Sequence, residues 1–559
     1  MNRFLRFIGN RFWKGSYLLK TVLFALNGSY SHTNLAVRAI GHSLRQAGEE
    51  AVIIEKNLKD TRLSVLEALV SENADIYGFS TYIWNAPEMY AFASELKALL
   101  PSALTVFGGP EVSFADGDFF DKHPEADIVI AGEGEEAFPL LVQSLKNGED
   151  CRHRVIHALP YRHFTESGIY YDEIGEEPRG LVYYESVRGC PFACAYCLSS
   201  RAEGIRAKSA EKALDDLLAF EKFDGIRTVK LVDRTFNFDR ERAKKIWRAL
   251  SEPQYTKEYH FEVSAALLDE ESFAVLANVP KGKFRLEIGV QSTNPDTIRA
   301  IGRALDTKKT LAALERLHKK GNLHIHADLI AGLPHEDYAS FARSFDDVYG
   351  KGNVLQLGIL KLLRGSRMRA EAEKYGIVYS PQVPYRVLKT NDLSFSELMR
   401  LERIDGLNDR FSNSGKFDFT FPWLPIASGS PFKFFDGVCD YAEEHFACRE
   451  IARLPQAEAF RLLWEYASLL TEKGASIDLN ELKQRLALDF LVGETRRLPP
   501  FLHTETVSAE EKYRALSSVE AKRRPACEVV RFPWLSDGLT IVDRVGKTVE
   551  ELEYGDLKR

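Results

Sequence analysis

Gly189-Cys190-Pro191-Phe192-Ala193-Cys194-Ala195-Tyr196-Cys197 sets three cysteines at C-x₃-C-x₂-C spacing, directly after an apolar run, Leu181–Ser186, that reads as a strand. Beyond this loop further strands are expected at Thr228–Val232, His260–Ser264, Phe284–Gly289, His324–Leu329 and Val354–Leu360. They alternate with helices near 208–222, 239–251, 270–278, 294–301, 307–320 and 336–349. A full eight-fold barrel takes about 250 residues, so six strand–helix repeats within about 190 predict a partial (β/α)6 barrel over 179–376.

Upstream of the cysteines a second alternating series runs over 20–150. Strands at Thr21–Leu26, Ala51–Ile54, Ile76–Ser80, Leu104–Phe107 and Ile128–Ile130 alternate with helices at Leu35–Ala47, Ser64–Glu72, Pro87–Leu99, Phe119–His123 and Glu135–Leu145. This predicts a Rossmann-like, doubly wound parallel sheet in an α/β chain, with its ligand crevice at the carboxyl ends of the strands. The residues at those ends are Asn27-Gly28-Ser29-Tyr30, Ser80-Thr81-Tyr82, Gly108-Gly109-Pro110-Glu111 and Gly132-Glu133-Gly134-Glu135. Glycines there let backbone approach a ligand closely, although many sheets that bind nothing carry them too.

The remaining segments have plainer signatures. Residues 151–178, with Pro160 and Pro178, read as a linker, and 1–19 as a disordered leader. Residues 377–559 read as a mainly helical domain with helices at Leu393–Asn408, Ala457–Lys473 and Leu479–Leu491. Its aromatic run, Phe411, Phe417, Phe419, Phe421, Trp423, Phe432, Phe434 and Phe435, is expected to form a docking core rather than a substrate cavity. Cys439 and Cys448, with His445 between them, read as free cysteines.

With 559 residues, 45% hydrophobic and 28% charged, the chain has a globular composition. Its net charge of −7 gives no overall attraction for nucleic acid or anionic lipid. Seven cysteines, an odd number in a long chain, argue against a secreted disulfide framework and for a reducing cytoplasm. No apolar stretch among the first residues is long enough for a signal-peptide core or a transmembrane segment.

Structural zinc takes four ligands, commonly from two separated pairs, and no second pair lies near Cys190, Cys194 and Cys197. A [4Fe–4S] cubane held by three thiolates keeps one iron without a protein ligand, open to a chelating molecule. The spacing, Tyr196 before the last cysteine and the place after the first barrel strand resemble the radical SAM superfamily. Val229-Lys-Leu-Val-Asp233-Arg-Thr-Phe-Asn237, His260-Phe-Glu262-Val-Ser264, Leu286-Glu-Ile-Gly289-Val-Gln291-Ser292 and Asp328-Leu-Ile-Ala-Gly332-Leu-Pro334 resemble later strand motifs of that superfamily.

The resemblance implies that S-adenosyl-L-methionine binds the open iron and is cleaved reductively to methionine and a 5′-deoxyadenosyl radical. An external electron donor such as flavodoxin or ferredoxin would supply the electron. Tyr196, Asp233, Glu262, Gln291, Arg303 and Gly332 are the expected S-adenosylmethionine contacts: Glu262 for the ribose, Arg303 for the carboxylate, Tyr196 for adenine, and the strand end at Asp233 for the amine. Plainer readings stand beside these: Glu262 paired in the barrel, Arg303 on a helix surface, Tyr196 in the core, Asp233 capping a turn.

A Rossmann-like module before such a barrel resembles the cobalamin-binding class of radical SAM proteins. Asn27, Gly28, Ser80, Thr81, Gly108, Gly109, Gly132, Glu133 and Gly134 are then the expected cobalamin contacts. The Asp-x-His-x-x-Gly motif of cobalamin domains is absent: His32 has Tyr30 two residues before it and Leu35 three after it, so the resemblance implies no histidine lower ligand. The methylthiotransferase branch carries three more cysteines in its first domain, and no cysteine precedes Cys151 here. Ser394–Arg400, Asn408–Phe417 and Asp489–Pro499 resemble an uncharacterised carboxy-terminal domain of some cobalamin-type radical SAM proteins. The leading expectation is a methyltransferase acting on an unactivated carbon of an unknown small molecule or peptide. Cobalamin-assisted rearrangement or cyclisation, and a non-catalytic sensor, are the alternatives.

Overall fold

Every residue of the first strand, β1 (Thr21–Asn27), is buried. Helices cover both faces of such a strand, and its unbroken apolar run, in place of alternation, marks that position in the sequence. In the computed structural model of the protein β1 pairs in parallel with β2 (Ala51–Asn57) and with β3 (Ile76–Ser80). Then come β4 (Leu104–Gly108), β5 (Ile128–Ala131) and β6 (Arg154–His157), giving the order β2-β1-β3-β4-β5-β6. The structure describes residues 19–29, 32–115, 117–171, 180–202, 204–303, 306–446, 450–493, 497–502, 507–535 and 538–552. The leader up to residue 18, Tyr30, residues 172–178 of the expected linker, Cys448 and residues 494–496 lie outside the described residues.

The longer helices of this sheet are α1 (Leu35–Gln46), α2 (Arg62–Ser71), α3 (Ala86–Leu99) and α4 (Gly134–Lys146), with one short helical turn at Phe119–Lys122. Local chemistry starts them: Asn34 caps α1 by accepting the Val37 N–H at 3.2 Å, and Pro87 sits in the first turn of α3, where its missing N–H costs nothing. Strand β6 falls within the stretch expected to be a linker. Its ends, Arg154 and His157, are exposed, so this edge strand carries no apolar signature. Because β1 has β2 on one side and β3 on the other, the winding direction reverses there, and a crevice opens at the carboxyl ends of those two strands.

The chain divides into two compact units. The first comprises Met1–Ile288, Arg299–His324 and Leu360–Leu388; the second comprises Gly289–Ile298, Ile325–Ile359 and Lys389–Arg559. After β6 the strand–helix rhythm resumes with β7 (Gly180–Tyr184), β8 (Ile226–Leu231), β9 (Glu258–Glu262), β10 (Phe284–Gln291), β11 (His324–Ala331) and β12 (Val354–Ile359). Between them lie α5 (Ala210–Ala219), α6 (Arg240–Leu250), α7 (Glu270–Ala277), α8 (Pro295–Ala300), α9 (Thr307–Lys320) and α10 (Tyr338–Val348). In the first unit β7 pairs in parallel with β8, β8 with β9 and β9 with β10. Burial along β10 alternates strictly. Phe284, Leu286, Ile288 and Val290 are buried, while Arg285, Glu287, Gly289 and Gln291 form a more open, largely polar face.

In the second unit β11 and β12 pair in parallel, and the main chain of β12 is met by side chains of α11 (Phe395–Phe411). Asn408 Nδ2 donates to the Leu355 carbonyl at 2.6 Å, and the Leu357 N–H donates to the Asp405 carboxylate. From the turn beyond α11, Asn413 accepts the Leu355 N–H at 3.1 Å. A helix thus satisfies a strand edge that would otherwise expose unpaired main-chain groups. Further helices here include α12 (Pro431–Phe446), α13 (Gln456–Glu472), α14 (Leu479–Gly493) and α15 (Ala509–Ser517), followed by an antiparallel sheet of β13 (Cys527–Val530), β14 (Leu539–Asp543) and β15 (Thr548–Leu552). Phe411, Phe417, Phe421, Phe432, Phe434 and Phe435 are all buried, with Phe411 and Phe421 stacked at 5.1 Å, so these six are core, while Phe419 and Trp423 of the same run are only half-buried. Among the described residues no helix is long and apolar enough to cross a membrane.

Candidate active site

The carboxyl ends of the first sheet open onto a cavity of about 1190 Å³ within the first unit. This exceeds the roughly 300–1,000 Å³ of sites for drug-sized ligands. Asn27, Gly28, Ser80, Gly108 and Gly109 border it, as do Gly132, Glu133 and Gly134. Thr81 does not: it is fully buried, its N–H donates to the Gly108 carbonyl at 2.7 Å and its hydroxyl to the Phe79 carbonyl at 3.2 Å. Gly109, at φ 111°, is required by this contact, since a Cβ there would stand 2.5 Å from the Thr81 carbonyl oxygen. At Gly28 a Cβ would meet nothing within 4 Å, so that tip presents bare backbone to open space. The lining also includes Gly78 and the buried apolar residues Leu23, Val106, Ile130 and Phe138. His32 also borders the cavity, edge-on to Tyr183 at 5.8 Å, and burial lowers its pKa.

The cysteine loop leaves β7 through Val187–Arg188, which pairs with Arg206–Ala207. Gly189, at φ 94°, makes the turn, and a Cβ there would lie 2.2 Å from the Gly204 carbonyl oxygen. The Cys197 N–H closes a turn onto the Cys194 carbonyl at 3.1 Å, while Ala195 bonds through its N–H to Ile301 and through its carbonyl to Met368, both at 2.8 Å. Cys194 is buried, which pushes its thiol pKa up, and the Arg303 guanidinium opposes that shift. Among the described residues no three His, Cys, Asp or Glu side chains converge tightly enough for one metal ion. A cubane places its thiolates on three separate irons, which stand further apart than donors around a single ion. A short loop with three cysteines, a glycine-only turn and a cation beside one sulfur fits such a cluster.

Glu262 borders the cavity, 3.5 Å from Arg234, and burial pushes its carboxyl up to about 7 against the pull of that arginine. Tyr196 and Arg303 meet, Nη1 donating to the phenol oxygen at 3.2 Å, and the same Nη1 lies 3.8 Å from Cys194 Sγ. Arg303 therefore belongs to the cysteine loop and is no mere surface residue of a helix. Asp233 sits otherwise than a substrate contact would: it is fully buried, takes the Ser186 N–H at 2.7 Å, the Val187 N–H at 2.9 Å and the Ser186 hydroxyl, and does not border the cavity. Gln291 and Gly332 lie in the second unit, both at positive φ, and Gln291 Oε1 is buried without a hydrogen-bond partner among the described residues.

Sequence reasoning missed the two arginines that join the walls of the cavity. Arg188, immediately before Gly189, pairs with Glu133 just after β5, with Glu135 in the first turn of α4 and with Glu185 at 2.9 Å. Arg206 pairs with Glu133 as well and donates to the Tyr161 carbonyl at 3.0 Å. Three carboxylates around Arg188 raise its pKa despite its burial, so the guanidinium stays charged. The available signal was an arginine beside the cysteine loop and two glutamates in the Gly132–Glu135 turn, too common a pattern to be decisive.

Residues 22–142 match the B12 binding domain family, and residues 184–348 match the radical SAM superfamily. The chain thus carries a radical SAM domain match preceded by a B12 binding domain match. Residues 373–530 match a third family, described as a protein of unknown function, DUF4080. The 2-(S-pantetheinyl)-carbapenam-3-carboxylate methyltransferase of Streptantibioticus cattleyicolor is 29% identical over 332 residues, 51% of this chain and 47% of that protein. The cobalamin-dependent radical SAM methyltransferase TokK of Streptomyces tokunonensis is 27% identical over 330 residues, with the same two shares. The chain thus spans about half the length of these curated relatives. Among solved structures, the cobalamin-dependent S-adenosylmethionine radical enzyme OxsB, with aqua-cobalamin and S-adenosylmethionine bound, superimposes with a TM-score of 0.55 at 15% identity, over 81% of this chain and 79% of that one. This chain shares that fold.

Proposed function

We propose that this protein is a cobalamin-dependent radical SAM methyltransferase that acts on an unactivated carbon of a small molecule or peptide. The observation that carries the reading is that one cavity is bordered both by the glycine tips of the B12 binding domain and by Gly189, Arg234 and Glu262 of the radical SAM domain. When bound, the [4Fe–4S] cluster supplies the electron that cleaves S-adenosylmethionine to a hydrogen-abstracting 5′-deoxyadenosyl radical, and cobalamin supplies a methyl carrier.

The chain's own residues position and shield. Cys190, Cys194 and Cys197 hold three irons and leave the fourth for S-adenosylmethionine. Glu262, ionised above about pH 7, accepts from ribose hydroxyls, and Tyr196 offers a ring face for adenine. Asn27, Gly28, Ser80, Gly108, Gly109, Gly132, Glu133 and Gly134 receive cobalamin, and the apolar lining residues Leu23, Val106, Ile130 and Phe138 offer it a surface that does not bind water. An external donor of the flavodoxin or ferredoxin class and a reducing cytoplasm complete the reading.

The experiment is anaerobic reconstitution with iron, sulfide and hydroxocobalamin, then reductant and S-adenosylmethionine. The expected result is retained cobalamin absorbance and slow formation of 5′-deoxyadenosine that Cys194→Ala abolishes. Full 5′-deoxyadenosine formation by Cys194→Ala would sink the cluster assignment, and failure to take up cobalamin would sink the methyl-carrier assignment.

A further inference from the structure

We propose that Thr235 and Arg303 are positioning residues that set the reduction potential of the cluster, each by donating a hydrogen bond to one of its cysteine sulfurs. The inference rests on the cluster reading of the three cysteines given above. Thr235 Oγ1 lies 3.4 Å from Cys190 Sγ and 2.7 Å from the Arg234 carbonyl oxygen. The residue is only 4% exposed, so water has little room to take either place.

A hydroxyl has one proton to give and rotates to suit its neighbours. While Cys190 is a thiol, its S–H points at Thr235 Oγ1 and the hydroxyl donates to the Arg234 carbonyl. Once Cys190 ligates iron the S–H is gone, and an oxygen lone pair facing a thiolate at this distance is repulsive. The hydroxyl then turns its proton onto the sulfur, where a charge-assisted bond compensates for the released carbonyl. On the other side of the loop, Arg303 Nη1 lies 3.8 Å from Cys194 Sγ, and a guanidinium has no acceptor form, so it can only donate.

The two donors come from different elements: Thr235 follows β8 and Arg303 follows α8. Asp233, two residues before Thr235, fixes the first of them, because its carboxylate grips the backbone of Ser186 and Val187 ahead of Cys190. Hydrogen bonds to ligating sulfurs stabilise the reduced, more negative cluster over the oxidised one and so raise its potential.

The test uses the full chain, reconstituted anaerobically without S-adenosylmethionine, with iron and sulfide content measured first and the cluster then titrated potentiometrically by electron paramagnetic resonance. Thr235→Val keeps the shape and removes the donor. It is expected to lower the reduced-to-oxidised ratio about tenfold at the wild-type midpoint, a shift of about 59 mV for one electron. Thr235→Ser should restore the wild-type midpoint, and Arg303→Gln should shift it in the same direction as Thr235→Val. A Thr235→Val protein with full iron and an unchanged midpoint overturns the role of Thr235 while leaving the cluster reading intact. If Thr235→Val loses its iron, Arg303→Gln carries the same comparison at Cys194, and an unchanged midpoint there overturns the proposal. A wild-type chain that takes up no cluster overturns the cysteine reading beneath it.

Discussion

The carboxylate of Asp233 accepts the backbone N–H of Ser186 at 2.7 Å, across 47 residues of sequence, and so ties the end of β8 to the start of the cysteine loop. Arg242 completes the cluster by donating to Ser186 Oγ at 2.7 Å. Hydrogen bonds to a buried charge contribute about 1.5–3 kcal/mol each, and removing one partner of a buried charged network costs about 3–5 kcal/mol. Asp233→Ala should therefore lower the thermal midpoint by several degrees and reduce the iron retained after reconstitution. Calorimetry and iron analysis check this, and wild-type values for both would remove the clamp from the account.

The contact between α11 and β12 predicts a stability effect far from any cofactor. Asn408 is fully buried and its amide meets the Leu355 carbonyl. Asn408→Ala should cost about 1–3 kcal/mol, the range for leaving a buried polar group unsatisfied, and so lower the urea midpoint. Asn413→Ala, at a more open position whose partners can turn to water, should cost less. Equal losses in the two variants would contradict the edge-satisfying role.

A pH dependence follows from Glu336 in the second unit. It is wholly buried, Ser292 and Ser344 donate to its Oε1 at 2.8 and 2.9 Å, and Oε2 has no partner among the described residues. Burial first, opposed by those hydroxyls, pushes its carboxyl from the ordinary 4.5 up to about 7. Between these values the folded chain keeps a proton that the unfolded chain has released, so stability falls as pH rises through this window. This contribution is present in full below about 4.5 and lost above about 7. Asp405, also pushed up to about 7, acts in the same direction. The thermal midpoint should decline across that window, and Glu336→Gln should flatten the decline; an unchanged slope would show that Glu336 is ionised in the fold.

The sequence by itself determined the two alternating series, the cysteine loop and most of the glycine tips. Each of these is a local pattern: a period of two or 3.6 residues, a turn that only glycine tolerates, or a spacing of ligands along a few residues. The buried, unbroken run of β1 was legible for that reason, whereas β6, an exposed edge strand without apolar periodicity, was not. What only the tertiary structure decided is what each polar side chain faces. Asp233 belongs to Ser186, Thr81 to Gly108, Glu133 to Arg188 and Arg206, and Arg303 to Cys194 across 109 residues. A carboxylate or guanidinium accepts many partners of similar energy, and its neighbours along the chain do not choose among them. The choice falls to whichever strand ends the packed core brings within about 3 Å, where a buried charge must find its partner.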